Sequence, residues 1–351
     1  MTQFYTIDHL PSRTIQIDGR EYLFFSGTSY LGIPQHGQFR ELLTEGLLRY
    51  GTAFGSSRNG NLQLRIYEEA EIALARFAGA PAALTVSSGM MAGQVVVNWL
   101  KSEGYSFLYA PGAHPAIWHE PTLSLPNLPF DTWAAQLPDL LRAATGHVVL
   151  CLNSLDAVRS EGYSFAWVND VPENLDVTLV VDDSHGLGVT GPGGSGVLAQ
   201  IPRRPNVRLI VTASLAKAMG LPGGVVFGEA HTLAAIRRTA FFGACSPMPP
   251  AYLYAYVRAG GLYAQQYQRL EQNILRIESG LANCGHFQHI PGYPVFYTPQ
   301  DALYDRLLER GIFIYQFAYP SPTDKPNTRI VISALHTEED LERLAEECGR
   351  G

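Results

Sequence analysis

A lysine, an acid and a histidine form the combination in this sequence that is best suited to chemistry. Asp182 and His185 directly follow the apolar run Val177–Val181, and Lys217 follows the next apolar run along the chain. The neighbours of Lys217 are apolar, so loss of solvation would favour the neutral amine that imine formation needs. These are the groups that pyridoxal 5'-phosphate (PLP) chemistry uses. The sequence therefore predicts a Schiff base on Lys217, with Asp182 beside the pyridinium nitrogen and His185 near the ring oxygen.

A phosphate site is predicted where one strand meets the helix that follows it. The segment Ser87–Met90 contains Gly89, which lets a ligand approach the backbone, and amides at a helix N-terminus often bind phosphate. Ser214, three residues before Lys217, can add a hydroxyl to the same phosphate.

Two other polar residues are ambiguous when taken alone. His114 lies in a Gly/Pro loop, where a histidine is usually just exposed. Arg329 opens the last predicted strand, where it could equally form a structural ion pair.

Short apolar runs separated by longer connections predict the sheet that would carry these residues. The predicted strands are Ala82–Val86, His147–Leu152, Val177–Val181, Val207–Thr212 and Gly224–Gly228. This alternation is typical of an α/β protein with a mostly parallel central sheet and helices on both faces.

The flanking segments predict further elements. Those elements are a hairpin within Thr14–Phe25, helices over Phe39–Tyr50 and Tyr67–Phe77, a long helix from about Ala251 to Cys284, a strand over Arg329–Ser333 and a helix over Thr337–Glu347. We expect an N-terminal segment at 1–36, a large domain at 37–250 and a smaller α+β domain at 251–351.

Composition excludes several classes of function. The chain has 351 residues, of which 46% are hydrophobic and 16% charged, as in ordinary globular enzymes. A net charge of −7 without a clustered basic run argues against nucleic-acid binding. The most apolar stretch, Leu84–Leu100, is interrupted by serine and glycine and does not predict a membrane span.

Cysteine usage and the first residues bear on the compartment. Cys151, Cys245, Cys284 and Cys348 are far apart, so free thiols in a reducing compartment explain them better than disulfides or a metal site. The first five residues show no basic segment followed by an apolar one, so we expect no secretory signal and a cytoplasmic protein.

Four segments resemble the α-oxoamine synthases, which are fold-type-I PLP enzymes of aminotransferase classes I and II. They are Phe25–Gly32, Gly55–Gly60 with Glu71 and Phe77 behind it, Val181–Val189, and Arg329–Thr337. The resemblance spans nearly the whole chain. It implies the fold-type-I transferase fold, PLP as cofactor and a homodimer with shared active sites.

The resemblance also implies roles for individual residues around the cofactor ring. Lys217 would hold the cofactor and move the α-proton, Asp182 would pair with the ring nitrogen and His185 would contact the ring oxygen. His114 would stack on the ring. Ser160 is the preferred ring-contacting serine, although Arg159–Gly162 matches the family pattern only with a slip of one residue.

Other roles that the resemblance implies concern the phosphate and the substrate. Gly89, Met90 and Ser214 would hold the phosphate, and Ser246 would reach the phosphate of the neighbouring subunit. Arg329 would bind the substrate carboxylate, since arginine suits bidentate contacts.

Three positions depart from the family pattern. Thr28 replaces an asparagine that helps to bind the amino-acid carboxylate, Ala110 replaces an acid, and Tyr67 replaces a histidine. These changes leave the predicted cofactor site intact and bear on which amino acid and which acyl-CoA are used.

The predicted reaction condenses a small amino acid with an acyl-CoA and releases carbon dioxide. One alternative keeps PLP but makes the protein an aminotransferase or an aldolase-like lyase, because a fold does not determine a reaction. A second alternative is a non-catalytic partner subunit.

Overall fold

The computed structural model describes residues 4–282, 284–318 and 325–350. The chain forms two compact units. The first comprises the described residues of Met1–Gly37, Asp156–Gly162 and Gly261–Gly351, and the second comprises Gln38–Leu155 and Tyr163–Gly260.

The strands and helices alternate along much of the chain. The strands are β1 (Thr14–Ile17), β2 (Arg20–Phe25), β3 (Ala82–Val86), β4 (Ser106–Tyr109), β5 (Val148–Asn153), β6 (Leu155–Asp156), β7 (Glu161–Gly162), β8 (Val177–Asp182), β9 (Val207–Ser214), β10 (Gly224–Gly228), β11 (Gln288–His289), β12 (Val295–Thr298), β13 (Ile312–Ala318) and β14 (Pro326–Val331). The α-helices are α1 (Gly37–Tyr50), α2 (Arg65–Ala78), α3 (Gly89–Ser102), α4 (Phe130–Ala143), α5 (Ala230–Arg237), α6 (Ala240–Ala244), α7 (Pro250–Arg258), α8 (Gly260–Leu281), α9 (Ala302–Glu309) and α10 (Glu338–Gly349).

The second unit is built on a mostly parallel sheet. Within the described residues its strand order is β3-β10-β9-β8-β5-β4. The pairs β9–β8, β8–β5 and β5–β4 are parallel, whereas β10 is antiparallel to both of its neighbours. Every residue of β8 is buried, so both faces of this strand are covered. The carboxyl ends of β5, β8 and β9 therefore meet at one edge of the sheet.

Helix α3 packs on this sheet and fixes the position of its own N-terminus. Its buried face includes Val95, Val96 and Leu100, which belong to the same apolar cluster as Val180 of β8 and Ile210 of β9. The helix begins where Ser88 accepts a hydrogen bond from the Met91 N–H at 3.1 Å.

The first unit contains a second sheet, with order β1-β2-β13-β14-β12-β11 among the described strands. Strands β2 and β13 pair in parallel, although one lies near the start of the chain and the other near its end. Helix α10 follows this sheet and opens with a capping box, in which Thr337 and Asp340 exchange side-chain to backbone bonds.

Most of the predicted elements are confirmed, including β3 and β10 with their bounds, the hairpin β1–β2 and the capped last helix. The single long helix over Ala251–Cys284 is wrong. The chain forms α7 and α8 there, because Ala259 leaves helical geometry just before Gly260-Gly261, and α8 ends at Leu281. Asn283, which falls inside that predicted helix, lies outside the described residues.

None of the described helices is both long enough and apolar enough to cross a membrane.

Candidate active site

Asp182 ends β8 with its side chain only 6% exposed. Ser184 donates both its backbone N–H and its hydroxyl to Oδ1 of Asp182. The same hydroxyl oxygen accepts a hydrogen bond from the Ser214 N–H at 2.8 Å. Ser184 therefore links the carboxyl ends of two neighbouring strands and fixes the carboxylate, leaving Oδ2 on the side of His114.

His114 is held over this edge of the sheet by the end of β5. Its N–H donates to Oδ1 of Asn153 at 3.0 Å, and Nδ2 of Asn153 donates to the carbonyl of Gly112 at 2.8 Å. The imidazole Nδ1 lies 3.6 Å from Oδ2 of Asp182 and accepts from the Ala116 N–H at 3.1 Å.

The electrostatics of the pocket keep His114 neutral. Burial lowers the pKa of His114, the Asp182 carboxylate opposes this effect, and the positive charge of Lys217 adds to it. Because Nδ1 accepts from a backbone amide, the neutral ring carries its proton on Nε2. The 3.6 Å contact with Asp182 is accordingly a contact with a neutral ring rather than an ion pair. The flat face of such a ring can stack on an aromatic cofactor.

Lys217 lies in a short loop between β9 and β10. Leu215, Ala218 and Met219 are buried, whereas Lys217 is half-buried. The loop is closed by a bond from the Leu215 N–H to the Gly223 carbonyl at 2.9 Å. Lys217 follows the carboxyl end of β9 by three residues, and Ser214 at that end is hydrogen-bonded to Ser184, which in turn donates to Asp182. The structure therefore brings Lys217, His114 and Asp182 to the same edge of the sheet.

The N-terminus of α3 forms a cradle against Ser214. A Cβ on Gly89 would lie 2.5 Å from Cβ of Ser214, and one on Gly224 would lie 2.2 Å from the Ser88 carbonyl oxygen. Only glycine fits at both places. The first amides of α3 have no partner within the helix, so they can bind an anion beside the Ser214 hydroxyl. Met90, the second residue of the helix, is 49% exposed.

Asp183 is buried, as Asp182 is, but it lies inside the glycine-rich turn that carries His185. Its Oδ2 accepts from the Val197 N–H at 2.9 Å, and a Cβ on Gly186 would lie 2.0 Å from its Oδ1. Burial raises the pKa of Asp183 to about 7, an effect that the Ser154 hydroxyl and the Val197 amide partly offset. Asp183 therefore shapes the turn, Asp182 lies at the sheet edge, and His185, three residues beyond the end of β8, is half-buried.

Ser246 is exposed and precedes α7. Its neighbour Cys245 places Sγ 3.3 Å from the hydroxyl oxygen of Ser87, at the junction between β3 and α3. Residue 246 therefore lies next to the phosphate cradle of its own chain. The prediction that Ser246 serves a neighbouring subunit stays a prediction.

Arg329 and Thr28 belong to the first unit. Arg329 is 5% exposed, donates through Nη1 to the Ala157 carbonyl at 2.5 Å, and lies 4.0 Å from the Tyr315 ring. Its Nε is buried without a hydrogen bond, and no carboxylate in the described part of the chain lies within 4.0 Å of its guanidinium. Thr28 is half-buried in the loop after β2.

Ser160, also in the first unit, is 2% exposed and has a left-handed backbone, with φ of 56°. Its hydroxyl donates to the Val295 carbonyl at 2.8 Å and accepts from the Ile290 N–H at 3.2 Å. The role proposed for Ser160 at a cofactor ring stays a prediction.

The sequence analysis missed two positioning residues, Ser184 and Asn153. Asn153 is the last residue of β5 and Ser184 is two residues beyond the end of β8, so both lie close to the strand-end signal that identified Asp182. In the described ranges, no group of three or more His, Cys, Asp or Glu side chains is arranged to hold a metal ion.

Known proteins share both the sequence pattern and the fold. The aminotransferase class I and II family matches residues 30–347. An 8-amino-7-oxononanoate synthase from Nitrosomonas europaea is 33% identical, and the match covers 94% of this chain and 89% of that protein.

Two solved structures show the same fold. A variant of serine palmitoyltransferase from S. paucimobilis with bound PLP is 19% identical, with a TM-score of 0.83 over 99% of this chain and 92% of that one. An 8-amino-7-oxononanoate synthase from Francisella tularensis is 20% identical, with a TM-score of 0.74 over 94% of this chain and 97% of that one. The predicted α/β transferase fold of type I is therefore confirmed.

Proposed function

Because this chain belongs to the aminotransferase class I and II family, and within it to the α-oxoamine synthases, we propose that it is a PLP-dependent acyltransferase. The reaction condenses a small amino acid with an acyl-CoA and releases carbon dioxide. One observation carries the proposal. A buried carboxylate, a neutral imidazole and a lysine converge at one sheet edge, beside a glycine cradle at a helix N-terminus.

The residues of the second unit fit PLP as a cofactor. The close approach of Gly89 to Ser214 places the Ser214 hydroxyl beside the start of α3, where the amides of Gly89 and Met90 can donate to a phosphate. When bound, PLP supplies an electron sink that stabilises negative charge at the α-carbon of an amino acid.

Each polar residue then has a task that its surroundings support. Lys217 holds the cofactor carbonyl carbon covalently and carries the proton removed from the substrate α-carbon. Asp182, fixed by Ser184, keeps a proton on the pyridine nitrogen through its negative charge. His114 would stack on the ring, and His185 would contact the ring oxygen.

Arg329 is proposed to bind the substrate carboxylate, with Thr28 as a second contact. A buried guanidinium without a carboxylate partner is costly, and an anionic substrate would relieve that cost. Ser160 is proposed to contact the cofactor ring.

We also propose a homodimer, with Ser246 serving the phosphate of the neighbouring subunit. Leu62 is 67% exposed and Phe241 42% exposed, and their segments are joined by a bond from the Ser57 hydroxyl to the Gly243 carbonyl at 2.7 Å. Exposed apolar residues on neighbouring segments support a surface that a second copy covers.

A cytoplasmic location is proposed on the state of the cysteines. All four cysteines are free thiols, and Cys151 and Cys348 are buried. Free thiols are usual in a reducing compartment.

The cofactor is tested first. The purified protein should show a visible absorbance band that borohydride removes, and mass spectrometry should then find the reduced cofactor on Lys217. A protein that gains no mass on Lys217 after reduction would overturn the cofactor assignment.

The reaction is tested next with panels of amino acids, acyl-CoAs and keto acids. Thiol release from an acyl-CoA that depends on an amino acid supports the proposal. Exchange of the amino group with a keto acid, without thiol release, would identify an aminotransferase instead. Absence of turnover with every pair, together with a stable hetero-complex, would identify a partner subunit.

A further inference from the structure

A cavity of the second unit lies at the opposite edge of the sheet from Lys217. It has a volume of about 960 Å³ and is lined by the amino ends of β8 and β9 and by the carboxyl end of β10. Strand β9 has eight residues and runs from this cavity towards Lys217, so roughly 20 Å separate the two places. The cavity is therefore distinct from the candidate active site.

Arginines outnumber acids in the lining of this cavity by three to two. Arg203, Arg204 and Arg208 all line it, as do the exposed acids Asp176 and Glu229. Arg204 is already engaged, because it donates to the Asn169 carbonyl and lies 3.8 Å from Glu173.

Arg203 and Arg208 are not engaged in this way. Among the residues that the structure describes, neither has a carboxylate within 4.0 Å. Nη1 of Arg208 is buried without a hydrogen bond, and the guanidinium lies 5.7 Å from the Trp99 ring. Nη1 of Arg208 has lost contact with water without gaining a partner, so an acceptor that reached it would form a charge-assisted hydrogen bond.

The N-terminus of α5 opens on the same cavity. Glu229 and His231 line the cavity, and Glu229, the N-cap residue of this eight-residue helix, provides no side-chain cap. The first amides of α5 and the positive end of its dipole are thus available to an anion.

A stacked pair of rings forms another part of the wall. The rings of Tyr105 and His147 lie 4.0 Å apart at an angle of 16°, and Nε2 of His147 is 2.8 Å from the Thr178 hydroxyl. Thr178 is paired with Arg208 in the sheet, so the ring pair lies near the unpaired guanidinium.

We propose that this cavity binds a phosphorylated small molecule, with its phosphate held by Arg203, Arg208 and the N-terminus of α5. The remainder of the ligand lies along the Tyr105–His147 pair. Phosphate suits the two guanidinium groups because it accepts several charge-assisted hydrogen bonds at once. The site uses none of the residues to which catalysis is assigned, so it stands independently of the reaction.

Calorimetry on the PLP-loaded protein tests the proposal with three probes: adenosine diphosphate, inorganic phosphate and adenosine. We expect adenosine diphosphate to bind at one saturable site, inorganic phosphate to compete with it, and adenosine to bind at least roughly tenfold more weakly. Absence of saturable binding, or equal affinity for adenosine, would overturn the proposal.

Variants locate the binding site. Arg208→Gln and the exposed-site variant Arg203→Gln should each weaken binding of adenosine diphosphate by roughly tenfold, since each removes a charge-assisted contact. Arg142→Gln, a control on the exposed face of α4, should leave the affinity unchanged, and so should Ser214→Ala in the cradle. Binding that responds to neither Arg208→Gln nor Arg203→Gln would overturn the proposal. It would assign the signal to the cofactor cradle if Ser214→Ala weakens it, and to the proposed acyl-CoA site if Ser214→Ala does not.

Discussion

The position of Lys217 is compatible with its proposed double role as cofactor anchor and proton carrier. It lies in a loop whose two ends are fixed by the sheet, and its positive charge contributes to the lowered pKa of His114. A side chain that is half-buried, with buried residues beside it, keeps some freedom to move while its backbone stays fixed.

Lys217→Ala should abolish covalent attachment of the cofactor and reduce turnover by several orders of magnitude. The phosphate and stacking contacts remain, so PLP should still bind, but weakly. Borohydride reduction followed by mass spectrometry measures attachment, and a coupled thiol assay measures turnover. Lys101→Ala, at a surface ion pair with Glu120, is the matched control and should behave as wild type.

Asp182→Asn should keep the shape of the site and lose the charge beside the ring nitrogen. A charge pair at ~4 Å in a partly buried site is worth on the order of a few kcal/mol. We therefore expect PLP to be retained and removal of the α-proton to slow by roughly a hundredfold. Exchange of the substrate α-proton with deuterated water measures this step, and a near-normal exchange rate would contradict the assignment.

Asp183 should make the free energy of unfolding depend on pH. Burial raises its pKa to about 7 from the usual 3.8, so between these values the folded protein keeps a proton that the unfolded chain releases. The contribution of this group to stability is complete below pH 3.8 and is lost as the pH rises through 7.

Asp183→Asn should remove this pH dependence. Relative to the variant, the wild type should lose a few kcal/mol between pH 4 and pH 7 and nothing further above pH 8. Urea unfolding midpoints of both proteins across this range test the expectation, and parallel curves would refute it.

At the scale of elements, the strands of the central sheet could be predicted from sequence, but the break between α7 and α8 could not. In the strands β3 and β10 only Thr85 is polar; Pro81 and Ser87 flank β3, and β10 begins and ends with glycine, so local pattern is sufficient to place them. The break at Ala259 was missed because the helical pattern continues across it, and only Gly260-Gly261 marks the change.

In the candidate site, too, some residues could be proposed from local sequence, whereas the contacts between distant residues could not. Asp182, His185 and Lys217 could be proposed from sequence because each lies at or just beyond the end of a strand that the sequence locates. The contact of Ser184 with Ser214 and that of Cys245 with Ser87 join residues that are distant in sequence, and no local pattern encodes them.

A buried ion pair ties α2 to the strand that leads into the phosphate cradle. Arg58, 4% exposed, donates to both carboxylate oxygens of Glu71 at 2.9 and 3.1 Å. Glu71 also accepts from the Thr85 N–H at 2.8 Å. The pair therefore positions β3 just before Ser87 and Gly89.

Glu71→Gln should destabilise the protein by about 3 kcal/mol, because it leaves the buried guanidinium of Arg58 without its counter-charge. The amide oxygen can still accept from Thr85, so the fold should survive. Glu69→Gln, on the exposed face of α2, should change the unfolding free energy by less than about 0.5 kcal/mol. Urea unfolding of both variants makes the comparison, and equal losses would contradict the assigned role.

At the scale of the whole molecule, shared active sites would make activity depend on assembly. If Ser246 serves the neighbouring subunit, mixing Lys217→Ala chains with Ser246→Ala chains should create one complete site per mixed dimer. That site combines Lys217 of one chain with Ser246 of the other. After random mixing, about half of the dimers are mixed and each has one of its two sites complete, so roughly a quarter of wild-type activity should return.

A titration of the mixing ratio measures the recovery. Activity of the mixture no greater than the average of the two parent variants would contradict the shared site. Because Cys245 contacts Ser87 in the same chain, that result would assign Ser246 to the phosphate cradle of its own subunit.

The parallel pairing of β2 with β13 has a consequence for synthesis on the ribosome. The chain between Phe25 and Ile312 must be made before the N-terminal hairpin can meet its partner strand. During that interval the backbone groups along one side of β2 remain unpaired, and such an edge can capture another nascent chain. The second unit is interrupted in sequence only by Asp156–Gly162, so all of its residues are synthesised before β13, while β2 still lacks its partner strand. The unpaired side of β2 is therefore exposed from the synthesis of the first twenty-five residues until the last forty residues, which contain β13, are translated.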